Sequence, residues 1–229
     1  MTNLKHLILE PSRLFLNLKE KPTWIVPFVI VAVAGIIIAI LMQPAQAQVT
    51  VVKLQEMLSP DQIDAALQRA KRFGLITASI VPLVTLIRWA IVSGLILMLT
   101  NLFTEKLNFK QSLSIISYSN LIPLAGSAVN TAAIYIKGLE TISSSYDLWL
   151  IGLNFWSREA IGMPLFLFLS EISVFSVWYL VLVVLGLNTI ADLSRGKAAF
   201  VAVFTWLLGV AFRMGLALMG SQLAPGTAG

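Results

Sequence analysis

The sequence contains no cysteine and little charge, and each shortage excludes a class of protein. Without cysteine there is no disulfide, no thiolate metal site, no iron–sulfur cluster and no cysteine nucleophile. Charged residues make up 12% of the 229 residues and hydrophobic residues 58%. A soluble domain is typically about 25% charged and about 45–50% apolar. The composition therefore excludes a soluble globule and a disordered chain, and it indicates an integral membrane protein.

Motifs for catalysis and for metal binding are also missing. His6 is the single histidine, and the chain has no H-E-x-x-H, no G-x-S-x-G and no complete phosphate loop. Residues 194–197 resemble part of a phosphate loop, but they lack its upstream glycine and strand and predict a helix start instead. The net charge of +5 falls at the membrane edges, which favours lipid headgroups over nucleic acid. We expect no enzyme, no cofactor and no metal site.

Five apolar stretches are long enough to cross a bilayer, which takes about 20 residues. The predicted spans are residues 24–42, 79–103, 113–136, 163–187 and 198–220. The fold class is then an all-α membrane protein, a five-span transmembrane helix bundle with short amphipathic interfacial helices. We expect one domain over residues 1–229, with a disordered tail at 221–229.

Prolines in the first half of four stretches predict helix starts or kinks: Pro27, Pro82, Pro123 and Pro164. The second stretch is apolar from residue 73, so it either tilts or begins outside the membrane before Pro82. Ala45-x-Ala47 resembles a signal-peptidase site. However, about 23 residues precede the first apolar run, so we keep that run as a permanent span.

Basic residues predict the orientation. With the N-terminus in the cytoplasm, eight basic residues fall in inner segments and six in outer ones. We expect a multi-pass protein of the cell (inner) membrane, with a cytoplasmic N-terminus and an outside C-terminus.

Three segments are predicted to lie at the membrane surface. Residues 4–21 contain a basic amphipathic helix, which Pro11 opens and Pro22 closes. It either rests among the headgroups or packs on the inner ends of the bundle. Residues 59–72 predict a helix that starts with Ser59 and Pro60 and runs along or into the outer surface. The aromatic loop 137–162 is an interfacial segment or, alternatively, a lid over a substrate.

Three charged side chains fall inside the predicted spans, Arg88, Glu171 and Arg213, and Asn130 is the strongest polar addition to them. At ~1.5 Å per residue, counting from the span ends places the three charges roughly 10–14 Å below the outer boundary, with Asn130 slightly shallower. A charge at such a depth normally faces a partner or a wet cavity. The sequence leaves three interpretations open: a structural ion-pair network, a site for an anion or lipid headgroup, or an Arg88 that extends outward to the interface.

Several short motifs resemble one membrane-protein family. They are Glu10-Pro11-x-x-Leu14-Phe15, Lys21-Pro22, Asn108-Phe109-Lys110-Gln111-Ser112-Leu113, Trp178-Tyr179 and Ser194-Arg195-Gly196-Lys197-Ala198. Together they resemble prokaryotic members of the Yip family, the Ypt/Rab-interacting membrane proteins, over nearly the whole chain. The resemblance implies five spans, a cytosolic N-terminus and no enzymatic activity.

Two departures from the family pattern concern its partners. The Asp-Leu-Tyr-Gly-Pro motif of eukaryotic members is absent, and the family's Gly-Tyr pair is Ser117-Tyr118 here. Both argue against a Rab-type GTPase partner. The leading hypothesis is a non-enzymatic protein with a membrane-organising, trafficking-like or partner-binding role, in contact with the lipid bilayer and a membrane-protein partner or a second copy. The alternative is a small-anion or lipid transporter, or a subunit of one, that uses the Arg/Glu cluster.

Overall fold

The computed structural model describes residues 6, 7, 9–55, 57–154 and 161–223. Its main helices are α1 (Pro11–Glu20), α2 (Ile25–Leu41), α3 (Gln43–Leu54), α4 (Pro60–Asn101), α5 (Phe109–Ser119), α6 (Leu121–Lys137), α7 (Met163–Ser170), α8 (Val174–Ile190) and α9 (Arg195–Leu223). Two short 3-10 turns follow α6, at Leu139–Thr141 and Ser145–Leu148.

The helices confirm an all-α membrane protein. Among the described residues, four helical stretches are long and apolar enough to cross a bilayer: Ile25–Leu54, Asp61–Asn101, Phe109–Lys137 and Arg195–Met219. A fifth arises when the bent pair α7 and α8 is counted as one span. The chain is therefore a multi-pass protein.

The start of the second span differs from the prediction. We expected a separate surface helix at 59–72 and a span from 79, but α4 runs without interruption from Pro60 to Asn101. Pro82 lies inside this helix, whereas Pro27, Pro123 and Pro164 lie in the first turns of α2, α6 and α7. A first-turn proline removes an N–H that has no intrahelical partner in any case, which explains three of the four positions.

The last spans also differ in their limits. The fourth stretch, predicted as continuous over 163–187, is broken after Ser170 and extends to Ile190. Helix α9 begins at Arg195 and ends at Leu223, so residues 221–223 are helical and only the rest of the predicted tail lies outside the described residues.

Contacts divide the chain into two compact units. The first unit comprises Met1–Trp24, Ala90–Ser119 and Gly152–Gly229, and the second comprises Ile25–Trp89 and Asn120–Ile151. That the chain forms a single domain stays a prediction.

Helix α8 is the centre of the first unit, where it packs against α1, α5 and α9. The side chains of Leu14, Phe15 and Leu18 on α1 are fully buried. Gly186 allows this close packing, because a Cβ there would lie 2.8 Å from Ile115 Cγ2 and 3.1 Å from Phe15 Cε1. Of the two interpretations of the N-terminal helix, the structure favours packing on the bundle.

In the second unit, α2 packs against α6 and α3 packs against the turns that follow α6. A core of four buried residues joins these elements: Ala45, Val49, Ile134 and Ile142. Helix α3 was not predicted, and its buried Ala45 belongs to the sequence that resembles a cleavage site. Gly35 lies close to α4, because a Cβ there would be 3.1 Å from Val81 Cγ1.

Candidate functional site

The fourth span is broken at Glu171, Ile172 and Ser173, where α7 and α8 meet at a bend of 60°. Ser173 begins α8 by a reciprocal cap. Its Oγ accepts from the Ser176 backbone N–H at 3.1 Å, and its own N–H donates to Ser176 Oγ at 2.7 Å. The cap satisfies backbone donors that a helix break leaves open within an apolar stretch.

The loop around Leu153 supplies a backbone donor to two carbonyl groups at the break. The Leu153 N–H donates to Leu169 O at 3.0 Å and to Ile172 O at 2.9 Å. This approach requires Gly152, because a Cβ there would lie 2.5 Å from Ser170 O. The loop and the break therefore form one structure within the first unit.

Glu171 lies in the break and is held by Arg213 from α9. Arg213 Nε donates to Glu171 Oε1 at 2.8 Å, and Arg213 Nη2 donates to Oε2 at 2.7 Å. This bidentate geometry is the strongest form of a carboxylate–guanidinium pair. The Glu171 side chain is 24% exposed and the Arg213 side chain is 45% exposed on the surface of the bundle.

The other two predicted site residues belong to the second unit, and each has a partner there. Arg88 Nη2 donates to Asn120 Oδ1 at 3.4 Å. Asn130 holds the loop after α6 with both ends of its amide: Nδ2 donates to Leu148 O, and Oδ1 accepts from the Leu150 N–H, each at 2.8 Å. The structure thus brings Glu171 and Arg213 together, and a cluster of all four residues stays a prediction.

The loop that Asn130 holds is itself ordered by a carboxylate. Asp147 accepts from the backbone N–H groups of Ser143 and Ser144, each at 2.9 Å. Burial raises the pKa of Asp147, but these hydrogen bonds and the nearby Lys137 outweigh it and hold the pKa below its ordinary value. Phe155 and Trp156, which belong to the predicted aromatic segment, lie outside the described residues.

Among the described residues, no group of three or more histidine or acidic side chains is placed to hold a metal ion. His6 instead lies beside Glu10, with 3.7 Å between Nδ1 and Oε2, and Glu10 also pairs with Arg13 at 2.8 Å.

Comparison with models of known protein families shows which family the chain belongs to. The family model of the Yip1 domain matches residues 5–216, which includes α1 to α8 and most of α9. The chain belongs to the Yip1 domain family. The resemblance to the Yip family that the short motifs indicated is therefore confirmed. No curated protein and no solved structure matches the chain.

One of those motifs, Asn108 to Leu113, starts α5 and contacts the end of α1 in the first unit of the Yip1 domain. Asn108 and Gln111 cap each other at the start of α5: Oδ1 of Asn108 accepts from the Gln111 N–H at 2.9 Å, and the Asn108 N–H donates to Gln111 Oε1 at 3.1 Å. Gln111 Nε2 then donates to Lys19 O at 3.1 Å, which joins α5 to the end of α1.

Asp192 connects three parts of the Yip1 domain, although no sequence motif singles it out. Its carboxylate accepts from Lys19 Nζ at 2.7 Å and from Lys106 Nζ at 3.1 Å. Hydrogen bonds from these two lysines lower the pKa of Asp192 below its ordinary value. Its partners are 173 and 86 residues away along the chain, so no spacing rule predicts the pairing.

Proposed function

We propose that this Yip1 domain protein is a non-enzymatic, membrane-organising protein that binds another membrane component at the broken fourth span. The observation that carries the proposal is the Glu171–Arg213 pair. It lies in membrane-spanning segments, yet the Arg213 side chain is 45% exposed on the surface of the bundle.

Lipid tails do not solvate a charged group, so an intramembrane charge faces protein, water or a headgroup. The bidentate contact already uses both oxygens of Glu171, but a guanidinium group has five N–H donors. Arg213 therefore keeps donors for a further acceptor. A polar group on a partner helix or a second copy of the chain is the occupant we propose.

Three of the described carboxylates support a structural rather than a catalytic role. Glu171 joins α9 to the break, Asp192 joins α1 to the α8–α9 connection, and Asp147 orders a turn. Each of these groups is already occupied by hydrogen bonds within the chain, so we infer that the protein is not an enzyme.

A second candidate function is transport of a small anion or a lipid. The observation that favours it is the 60° break itself, because transporters often bind substrate at broken spans whose exposed backbone groups line a cavity. In that case the cationic side chain of Arg213 would take part in binding the anion.

We also propose that the protein lies in the cell (inner) membrane with its N-terminus in the cytoplasm and its C-terminus outside. The excess of basic residues in the inner segments supports this orientation. A Rab-type GTPase is not the proposed partner, since the eukaryotic N-terminal motif is absent.

Photo-crosslinking in native membranes tests the partner hypothesis. A benzoylphenylalanine at Leu216, on the same face as Arg213, is expected to give protein adducts or dimers of the chain. The matched control is the exposed Ala211, which is about 200° around α9 from Arg213 at a similar depth. Equal adducts at both positions, or adducts with lipid alone, would contradict the proposal.

Anion flux into proteoliposomes tests the alternative. A transporter would show flux that Arg213→Gln abolishes while the protein stays folded. An organising protein is expected to show no flux above that of empty liposomes, whichever residue stands at position 213.

A further inference from the structure

A groove of about 450 Å³ lies between α3 and the first half of α4, entirely within the second unit. Ile40 and Leu67 form apolar walls, and Gln46, Thr50 and Lys71 supply polar groups. None of the four predicted site residues lines it. A concave, mostly apolar surface with a few converging polar groups is the usual form of a small-ligand site.

Gln43 lines the same groove with a donor that has no acceptor. Its Nε2 is buried and makes no hydrogen bond. Gly74 leaves the space that this amide occupies, because a Cβ there would lie 3.2 Å from Gln43 Cδ. A buried N–H without a partner costs free energy and is rare in native structures, so the site is short of one acceptor.

The position of the groove along the chain defines its level in the membrane. Ile40 is near the end of the first apolar stretch, and Gly74 is near the beginning of the second. The groove therefore lies where these two spans leave the hydrocarbon layer. Lys71 lies on the water side of Gly74, since α4 enters the apolar stretch after it.

We propose that this groove binds the headgroup of an anionic phospholipid. The phosphate oxygens accept from Lys71 Nζ and from the unpartnered Gln43 Nε2, and the first part of an acyl chain packs on Ile40 and Leu67. A phospholipid is the ligand that presents an anionic head and an apolar chain at this level. The proposal rests on the second unit alone and does not depend on the Glu171–Arg213 site.

Native mass spectrometry of the full-length protein, released from nanodiscs, tests the proposal. The probe is phosphatidylglycerol added to phosphatidylcholine, and the measurement is the apparent Kd of the retained lipid. Lys71→Gln is expected to weaken phosphatidylglycerol binding about fivefold, which converts to about 1 kcal/mol. Arg72→Gln is the matched control, because it removes one positive charge from the next residue, which lines neither this groove nor the smaller one beside α4.

Gly74→Leu gives a second, independent test. Its side chain fills the groove, so it is expected to abolish retention of phosphatidylglycerol while leaving thermal unfolding within a few degrees of wild type. Gly74→Ala, where only the flexible Gln43 side chain must move, is expected to weaken binding less.

Three results would overturn the proposal. One is an equal loss for Lys71→Gln and Arg72→Gln, which would show general surface charge. Another is equal retention of phosphatidylcholine and phosphatidylglycerol by the wild type. The third is displacement of the lipid by inorganic phosphate or glycerol phosphate, which would show a soluble ligand instead.

Discussion

At the scale of single residues, the Glu171–Arg213 pair costs free energy, because its charges lie in membrane-spanning segments, and it also links two helices. Two charges within membrane-spanning segments are expensive, and their close bidentate contact offsets part of that cost. The pair also ties α9 to the break between α7 and α8, so it fixes where the fourth span bends.

The first prediction concerns this pair. Glu171→Ala is expected to destabilise the protein more than Glu171→Gln, because glutamine keeps a carbonyl oxygen that accepts from Arg213, whereas alanine leaves the guanidinium unpaired. The double variant Glu171→Ala/Arg213→Gln is expected to be less harmful than the sum of the singles, by about 0.5–3 kcal/mol. Thermal unfolding of the detergent-solubilised variants measures this coupling.

The same cycle with Arg88→Gln tests the wider predicted cluster. Coupling between Arg88 and Glu171 would support a network of all the predicted charges. Additive effects within about 0.5 kcal/mol would limit the site to Glu171 and Arg213.

The site residues show how much of the candidate site can be predicted from the sequence. Depth counting along antiparallel spans correctly suggested that Glu171 and Arg213 lie near each other, because helix rise is constant. It did not suggest that the partners of Asn130 are the backbone groups of Leu148 and Leu150. Backbone partners have no sequence signature, and the partners of Asp192 are too distant along the chain for any spacing rule.

At the scale of helices, the contact between α1, α5 and α8 depends on Gly186. A Cβ at this position meets Ile115 at 2.8 Å and Phe15 at 3.1 Å, and both of those side chains are fully buried. Helix α1 is thus held by close packing against α5 and α8 as well as by the ion pair between Lys19 and Asp192.

The second prediction follows from this contact. Gly186→Ala is expected to destabilise the protein by about 1–3 kcal/mol, because an added methyl group in a filled core forces its neighbours off their preferred positions. Gly94→Ala is the matched control in a helix. Apart from the adjacent backbone of its own helix, nothing described lies within 4 Å of the added Cβ, so it is expected to be neutral or stabilising by up to about 1 kcal/mol. Thermal unfolding followed by tryptophan fluorescence measures both. A Gly186→Ala protein that melts at the wild-type temperature would show that α1 is packed loosely.

The sequence predicted the ends of helices correctly where residues at the end itself, such as a proline or a helix cap, mark the start. Pro11 begins α1 as expected, and α9 begins at Arg195 within the predicted helix start. The break at residues 171–173 was missed because the stretches on both sides of it are mostly apolar and its cap uses Ser176 where a capping box ordinarily has glutamate or glutamine. Hydrophobicity alone cannot distinguish a continuous span from a broken one.

At the scale of the whole molecule, the ion pairs of Asp192 restrict the topology. Lys19 precedes the first span, Lys106 follows the second, and Asp192 follows α8, yet all three side chains are in contact within the first unit. Long charged side chains in contact outside the apolar stretches lie on one side of a membrane. The number of crossings between each pair of them must therefore be even.

This parity distinguishes two arrangements of α7 and α8. Between Lys106 and Asp192 the chain contains the third span and the bent pair. If the bent pair were a re-entrant loop, only one crossing would separate the two residues and they would lie on opposite sides. Two crossings are required, so α7 and α8 together count as one broken span, which gives five spans in the part of the chain that the structure describes.

The third prediction tests this topology with reporter fusions at six positions. Reporters at Asn3, Asn108 and Arg195 are expected on the cytoplasmic side, and reporters at Gln62, Asp147 and Thr227 on the other. Arg195 is the decisive position. If α7 and α8 were a re-entrant pair, the reporters at Arg195 and Thr227 would both change sides of the membrane, while the four reporters before them in the chain would stay where they are. A reporter at Arg195 on the same side as Asp147 would therefore contradict both the five-span fold and the contact of Asp192 with Lys19 and Lys106. A complete inversion of all six would leave the fold intact and refute only the orientation inferred from the basic residues, since the parity argument does not depend on which side is the cytoplasm.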